Sequence, residues 1–359
     1  MISEQLLAYP SLPTPAVKQG EFPFAAVGLS HGHIYGMCEG LRSAGATLSY
    51  VYEEDEALLA AFHRRYPDVK IARCLDEILE DEKIKMVASA AIPSERCPIG
   101  LRVMASGKDF FADKAPFVTE EALASAREAV RVTGQKYAVF FSERCASESA
   151  VYADVLIRRG AIGRVINVIG MGPHKLNNGE TRGEWFYKRK TSGGILIDIG
   201  SHQIEQFLHY TGNENAVLTQ ARIANYAHAE HPEFDDFGDC ALTGENGATG
   251  YFRIDWFTPE CFPAFGDGRT VIVGTEGTLE LRKYYDPSSG ERDVVILSGR
   301  DGMECRAVGG KIGFPFFGEL IRDCLDRTEN AMTQEHAFAA AELSIRAQLT
   351  ATDLTPRKG

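Results

Sequence analysis

Phe24-Ala25-Ala26-Val27-Gly28-Leu29-Ser30-His31-Gly32-His33 decides how the first third of this chain folds. The small apolar run reads as a buried strand, Gly28 as a tight turn, and the apolar spacing from Ile34 to Ala44 as a helix. A strand, a glycine turn and a helix in that order turn backbone N–H groups toward a helix N-terminus, which suits a pyrophosphate. Against the fingerprint G-x-G-x-x-G, Gly28 fits, Ser30 stands where the second glycine belongs, and His33 takes the third position. Serine is small enough to let a phosphate approach and can donate to it, whereas His33 must alter the helix–strand packing or face the ligand. Gly28, Ser30, His31, Gly32 and His33 are therefore the candidate cofactor-binding residues of the turn.

Working outward, strand and helix patterns alternate: Thr47 to Tyr52, Glu56 to Arg65, Lys85 to Ala90, Pro98 to Ser106, Asp109 to Ala112, Glu120 to Thr133 and Lys136 to Phe141. This order predicts βαβ units in an α/β domain, a doubly wound parallel sheet of the Rossmann type, over residues 21–141. Before it, Pro10, Pro13 and Pro15 predict an extended arm over residues 1–20. After a helix from Glu148 to Arg159, the texture becomes β-rich: Val165 to Gly170, Ala216 to Tyr226, Cys240 to Phe257, Arg269 to Lys283 and Val294 to Ser298. Asn246-Gly247 and Glu276-Gly277 read as hairpin turns whose glycines supply a positive φ. With helical spacing at Phe316 to Cys324 and Gln334 to Thr350, residues 142–359 read as an α+β domain with a large open, mainly antiparallel sheet.

At 359 residues the chain exceeds one ordinary hydrophobic core, so two domains are expected. A formal charge of −12 opposes binding to nucleic acid, whose phosphates demand a basic surface. No apolar run reaches the ~20 residues that span a bilayer, and no secretory pattern opens the chain, so a cytoplasmic protein without a membrane partner is expected. Eight cysteines lie scattered without a C-x-x-C pair, which predicts free thiols rather than a zinc site or disulfide framework.

Four further positions carry chemistry. Glu53 ends the second strand, where a carboxylate accepts hydrogen bonds from an adenosine ribose. It also disfavours a 2′-phosphate, because like charges ~4 Å apart repel by a few kcal/mol near a surface, so NAD is expected over NADP. Lys114, in Asp113-Lys114-Ala115-Pro116, follows a strand at the edge where an α/β fold places its site. In Gly193-Gly194-Ile195-Leu196-Ile197-Asp198-Ile199-Gly200-Ser201-His202, Asp198 and His202 are one helical turn apart, and a helix after Gly194 would project both from one face. A carboxylate there biases the imidazole's tautomer and basicity. Oxidising an alcohol needs a base for the hydroxyl proton and a group that stabilises alkoxide character. His202 with Asp198 suits the first task and Lys114 the second, and the spacing also permits the roles of Lys114 and His202 to be exchanged.

The order glycine turn, acidic strand end, Asp-Lys-Ala-Pro and Gly-Gly-x-x-x-Asp-x-Gly-x-His resembles the glucose-fructose oxidoreductase/inositol dehydrogenase/rhizopine-catabolism (Gfo/Idh/MocA) family. Gly274-Thr275-Glu276-Gly277-Thr278-Leu279-Glu280 resembles that family's second-domain hairpin. The resemblance implies NAD(P)-dependent hydride transfer at a carbinol or ketone carbon of a sugar, inositol or related polyol. It also implies Lys114, Asp198 and His202 as catalytic residues, Ala91 and Pro93 beside the cofactor, and a homodimer or homotetramer formed through the second-domain sheet. Asp113 stands where the family has glutamate, Ala115 separates Lys114 from Pro116, and Ser94 and Cys97 replace the usual Asn and His. Two rivals are a glycoside-cleaving enzyme that oxidises its substrate transiently with NAD, and a non-catalytic dinucleotide-binding regulator.

The loop His174-Lys175-Leu176-Asn177-Asn178 and the stretch Arg182 to Lys188 precede the Asp198/His202 segment. His174, Trp185 and Tyr187 are the substrate-binding candidates there, because aromatic faces stack on sugar C–H surfaces while polar groups meet hydroxyls. His228 and His231 read as an exposed polar loop, and no metal is assigned.

Overall fold

The computed structural model describes residues 2–177 and 182–356. The chain divides into two compact units. A nucleotide-fold unit comprises Pro13–Phe140 and Pro315–Phe338, and a sheet unit comprises Phe141–Phe314, the N-terminal residues up to Leu12, and the segment from Ala339 onward.

The nucleotide-fold unit holds β1 (Pro23–Val27), β2 (Thr47–Tyr52), β3 (Lys70–Ile71), β4 (Met86–Ser89), β5 (Asp109–Asp113) and β6 (Tyr137–Phe140). They form a six-stranded, all-parallel sheet in the order β3-β2-β1-β4-β5-β6. Strand order reverses between β1 and β4, and ligands of such sheets bind outside the strand ends at that point. The central strands β4 and β5 are buried along their whole length, as expected of strands covered by helices on both faces.

The sheet unit holds β7 (Val165–Pro173), β8 (Ala216–Ala224), β9 (Phe237–Gly244), β10 (Thr249–Asp255), β11 (Arg269–Gly274), β12 (Gly277–Arg282), β13 (Val294–Gly299), β14 (Gly302–Ala307) and β15 (Thr352–Asp353). They make a nine-stranded sheet in the order β14-β13-β12-β11-β7-β10-β9-β8-β15. Its pairings are antiparallel except β7 with β10 and β8 with β15. The helix Gly200–Thr211 is buried along nearly all its residues against one face. On the other face Ile169, Tyr251, Val217 and Met303 stay exposed.

Four expectations need correction. Residues 315–338 belong to the nucleotide-fold unit rather than the sheet unit. The cause is aromatic: Phe316 packs against Phe111 and Phe317 against Phe140, with ring centroids 6.0 and 5.6 Å apart. The N-terminal arm is not extended throughout, because Ser3 caps a short helix, Glu4–Leu7, and Leu7 is buried. It also divides between the units after Leu12. Gly247 has the expected φ of 82°, but Gly277 is absent from the positive-φ residues. Gly277 is required for close approach instead, since a Cβ there would lie 2.6 Å from Ser298 O. Among the described residues no helix is long and apolar enough to cross a membrane.

Candidate functional site

In the nucleotide-fold unit the candidate residues gather at the β1/β4 switch point. Gly28 has φ +70°, and a Cβ on it would lie 2.5 Å from the Cβ of Ala91, so only glycine lets the first turn close against the loop after β4. His31 N donates to Ala90 O at 2.9 Å, which ties the two loops together. Gly32 caps the helix His33–Ser43 without a side-chain acceptor, and Pro93 opens the helix Pro93–Ala105. Glu53 Oε2 accepts from Leu29 N at 2.5 Å, and Oε1 accepts from the amides of Glu54 and Asp55. The carboxylate predicted to meet the ribose thus also holds the glycine turn in shape. Glu95 lies close by, and its carboxyl is pushed up by burial and then by Glu53 and Glu54.

The residues that make the fingerprint irregular are collected by Asp113. Its Oδ1 lies 2.8 Å from His33 Nδ1 and accepts from Lys114 N at 2.8 Å. Its Oδ2 lies 3.0 Å from His31 Nδ1 and 3.3 Å from the Arg96 guanidinium. Arg96 is 1% exposed, and it donates to the backbone oxygens of Ala91, Lys114 and Ala115. Burial alone would raise the Asp113 pKa, but His33, Arg96 and His31 together hold it well below the usual carboxylate range. His31 is pushed down to about 3, chiefly by burial and then by His33, against the pull of Asp113. The donor atoms of His31, His33 and Asp113 lie within 4.8 Å of one another, a spacing that could hold a metal ion, but Arg96 already supplies the positive charge there. Lys114 is buried, its charge acts on His31, and the peptide between it and Ala115 is cis.

The spacing of His31, His33 and Asp113 along the chain gives no hint of this cluster. The available signal was the pair of departures itself: imidazoles in the glycine turn and a short acid before the lysine are irregular singly and complementary together.

In the sheet unit the Gly193-Gly194 pair, with φ of 89° and 91°, turns the chain into the short helix Ile195–Asp198. A second helix starts at Gly200, and His202 N donates to Ile199 O three residues back at 3.1 Å. The expected single helix after Gly194 is therefore two, joined at Ile199. Asp198 lines a shallow cleft together with Phe186, Ser192, Gly194, Ile195, Glu233, Phe234, Asp235 and Trp256. His202 is buried, its ring edge-on to Phe141 at 6.1 Å.

His174 follows β7, hydrogen-bonds Gly172 O at 2.9 Å through Nδ1, and meets Trp256 and Phe265 edge-on. Trp185 is half-buried against Phe186, and Tyr187 is buried, stacked 3.7 Å from His231. Neither lines the cleft; its aromatic wall is Phe186, Phe234 and Trp256. Trp256 escaped the sequence reading because it sits where β10 ends, in an apolar run that reads as strand interior. Arg182 stacks over Phe186 and Trp256 at 4.6 and 5.2 Å. His228 pairs with Asp236 at 2.9 Å rather than with His231, so the loop is a tied turn more than an open polar one. Asn178 lies outside the described residues.

A parallel dinucleotide-type sheet in one unit, accompanied by an open mixed sheet whose covering helices carry Asp198 and His202 in the other, defines a two-unit Rossmann-type architecture. Residues 151–280 match the sequence model of the GFO/IDH/MocA C-terminal domain. A crystal structure of a protein assigned as an oxidoreductase from Erwinia carotovora atroseptica is 48% identical, covering 93% of this chain and 99% of that one with a TM-score of 0.90. Scyllo-inositol 2-dehydrogenase (NAD(+)) of Bacillus subtilis is 29% identical over 56% of each chain. Scyllo-inositol 2-dehydrogenase (NADP(+)) IolW of the same organism is 26% identical over 48% of this chain and 47% of its own length. The chain spans about half the length of these two curated relatives. The chain belongs to the Gfo/Idh/MocA family of oxidoreductases.

Proposed function

We propose that the protein is an NAD-dependent dehydrogenase that takes a hydride from a CH–OH carbon of a polyol or sugar. The observation that carries this reading is the Asp113 cluster: one buried carboxylate grips both imidazoles of the dinucleotide turn and the backbone of Lys114. The turn suits the cofactor, since Gly28 lets it close tightly against Ala91 ahead of the helix N-terminus, and Glu53, just after β2, is the carboxylate expected to meet the ribose. The nicotinamide, when bound, supplies the hydride acceptor. Lys114 then offers a positive charge to the substrate oxygen, and His202 takes the hydroxyl proton.

Glu53, Glu54 and Glu95 together repel a 2′-phosphate, which supports NAD over NADP. In the sheet unit the cleft of Phe186, Phe234 and Trp256 beside Asp198 and Asp235 suits a polyhydroxylated ring, whose C–H faces lie on aromatic surface while its hydroxyls donate to carboxylates. Inositols are the first substrates to try, given the B. subtilis relatives. Free cysteines suit a reducing compartment, and we place the protein in the cytoplasm. The exposed apolar residues of β7, β8, β10 and β14 support homo-oligomers formed through the open sheet.

The reading is tested by NAD reduction across a panel of inositols and sugars. Lys114→Met and His202→Asn, each still folded, are expected to lower kcat by about 10²–10⁴-fold. Variants that turn over like the wild type would remove both residues from the chemistry.

A further inference from the structure

The sheet unit buries a charged network that this chemistry has not used. Glu143, on the short helix Ser142–Cys145, is 2% exposed, and Lys283, just after β12, is 1% exposed. Lys283 Nζ lies 2.9 Å from Glu143 Oε2 and donates to Gln206 Oε1 at 2.6 Å. The same Oε2 accepts from Gln203 Nε2 at 2.8 Å and from Gln206 Nε2 at 3.3 Å. Three donors therefore converge on one carboxylate oxygen. The other, Oε1, is also buried and accepts no hydrogen bond among the described residues. Leaving a buried acceptor unmade is costly, so such an atom in a native fold calls for an explanation.

The surroundings connect this carboxylate to His202. Gln203 follows His202 in the chain, and Phe141, two residues before Glu143, lies against the His202 ring. The sheet makes room for the network: a Cβ on Gly170 or Gly172 of β7 would come within 2.1 Å or 3.0 Å of the Gln203 amide. Burial alone would push the Glu143 carboxyl up, but Lys283, His202 and His174 bring it below its ordinary range. The imidazoles at the end of β7 and the start of the buried helix are thus both close enough to act on it electrostatically. Tyr284 also faces it, with its phenol pushed up by burial and by Glu143.

We infer that Glu143 is a positioning residue for His202: the buried Glu143–Lys283 network, tied to the His202 segment by Gln206 Nε2, which donates to both Glu143 Oε2 and His202 O, sets a fixed negative charge that stabilises the imidazolium formed when the ring takes a proton. The inference rests on the proposed role of His202 as base. It moves the counter-charge of the base from Asp198, which lines the aromatic cleft, to the buried floor formed by Glu143. A protonated imidazole here is stabilised by a fixed, water-excluded anion, which makes proton removal from a hydroxyl easier.

The test is an NMR titration of the histidine Cε1–H resonances, with His202 assigned from His202→Asn, and it needs no substrate. In Glu143→Gln the proton affinity of His202 is expected to fall by about tenfold or more. Because Glu143→Gln leaves Lys283 buried alone, the double variant Glu143→Gln/Lys283→Met is the second arm; it removes both charges and is expected to fold and to show a smaller loss of the same sign. Asp198→Asn is expected to change His202 by less than either. A His202 titration equal to the wild type in both Glu143 variants overturns the assignment, as does a larger shift from Asp198→Asn. If the coupling is found but no dehydrogenase turnover is, the proposed function fails while the link between Glu143 and His202 stands.

Discussion

Asp113 and Glu143 are the same device used in two ways. Each is a fully buried carboxylate beside a buried cation, Arg96 for one and Lys283 for the other, and each feels two imidazoles. Asp113 spends both oxygens on partners from the glycine turn, Arg96 and the Lys114 backbone. Glu143 meets Lys283, Gln203 and Gln206 through Oε2, and its Oε1 accepts no hydrogen bond among the described residues. A buried acid whose two oxygens both face a cation or an imidazole fixes geometry, whereas one with an oxygen clear of such partners can answer a change of charge next to it. The nucleotide-fold unit therefore carries a scaffold and the sheet unit a responsive centre.

Removing the cation should expose the largest cost. Lys283→Met leaves Glu143 uncompensated and should destabilise the protein by about 3–5 kcal/mol, read from denaturant unfolding of the sheet unit. A loss below about 1 kcal/mol would mean that the pair contributes nothing that water cannot replace. Breaking the scaffold comes next. Asp113→Asn should weaken NADH binding by at least about tenfold in calorimetry, because the turn and Lys114 lose a shared anchor. Unchanged affinity in a folded variant would reduce Asp113 to a packing residue.

The pH dependence of stability separates the two devices further. An unfolded imidazole takes its proton near ~6.5, whereas folded His31 does so only at about 3. The unfolded state therefore binds more protons across that window, and stability should fall as pH drops from about 6.5 toward 3, by up to about 1.4 kcal/mol per pH unit. His31→Asn should flatten this slope. The depressed carboxyls Asp113 and Glu143 act lower: their stabilisation is complete above their unfolded values, ~3.9 for aspartate and ~4.3 for glutamate, and is lost as pH falls through their folded values. An acid limb in His31→Asn that matches the wild type between pH 6.5 and 4 would contradict the His31 assignment. The smallest effect expected is at Glu53. Glu53→Gln should narrow the preference for NAD over NADP by about 1 kcal/mol, seen as a ratio of Kd values. A preference left intact would move the discrimination to Glu54 or Glu95.

The same contrast explains what the sequence disclosed. The parallel sheet was legible in five of its six strands because each of those is short, apolar and set among helix-period stretches, whereas β3, the exposed pair Lys70–Ile71 at the sheet edge, was missed. The open sheet was legible in outline, yet β14 was missed because Met303-Glu304-Cys305-Arg306 is an exposed edge strand without alternation. The return of Pro315–Phe338 to the first unit depends on Phe316 and Phe317 choosing partners two hundred residues upstream, which no local pattern reveals. Within the candidate site, Gly28, Glu53, Lys114, Asp198 and His202 stood out because motif spacing marks them. Glu143, Lys283 and Arg96 did not, since a charged residue in a mixed segment reads as solvent-facing until packing shows it buried.

The most direct test of the account is the appearance of NADH when the purified protein is given NAD and scyllo-inositol or another polyol of the panel, beside Lys114→Met under the same conditions. The account predicts steady NADH formation by the wild type and a loss of about 10²-fold or more in the variant, with NADH binding retained. Bound NAD without turnover on any polyol, or equal turnover in Lys114→Met, would contradict it.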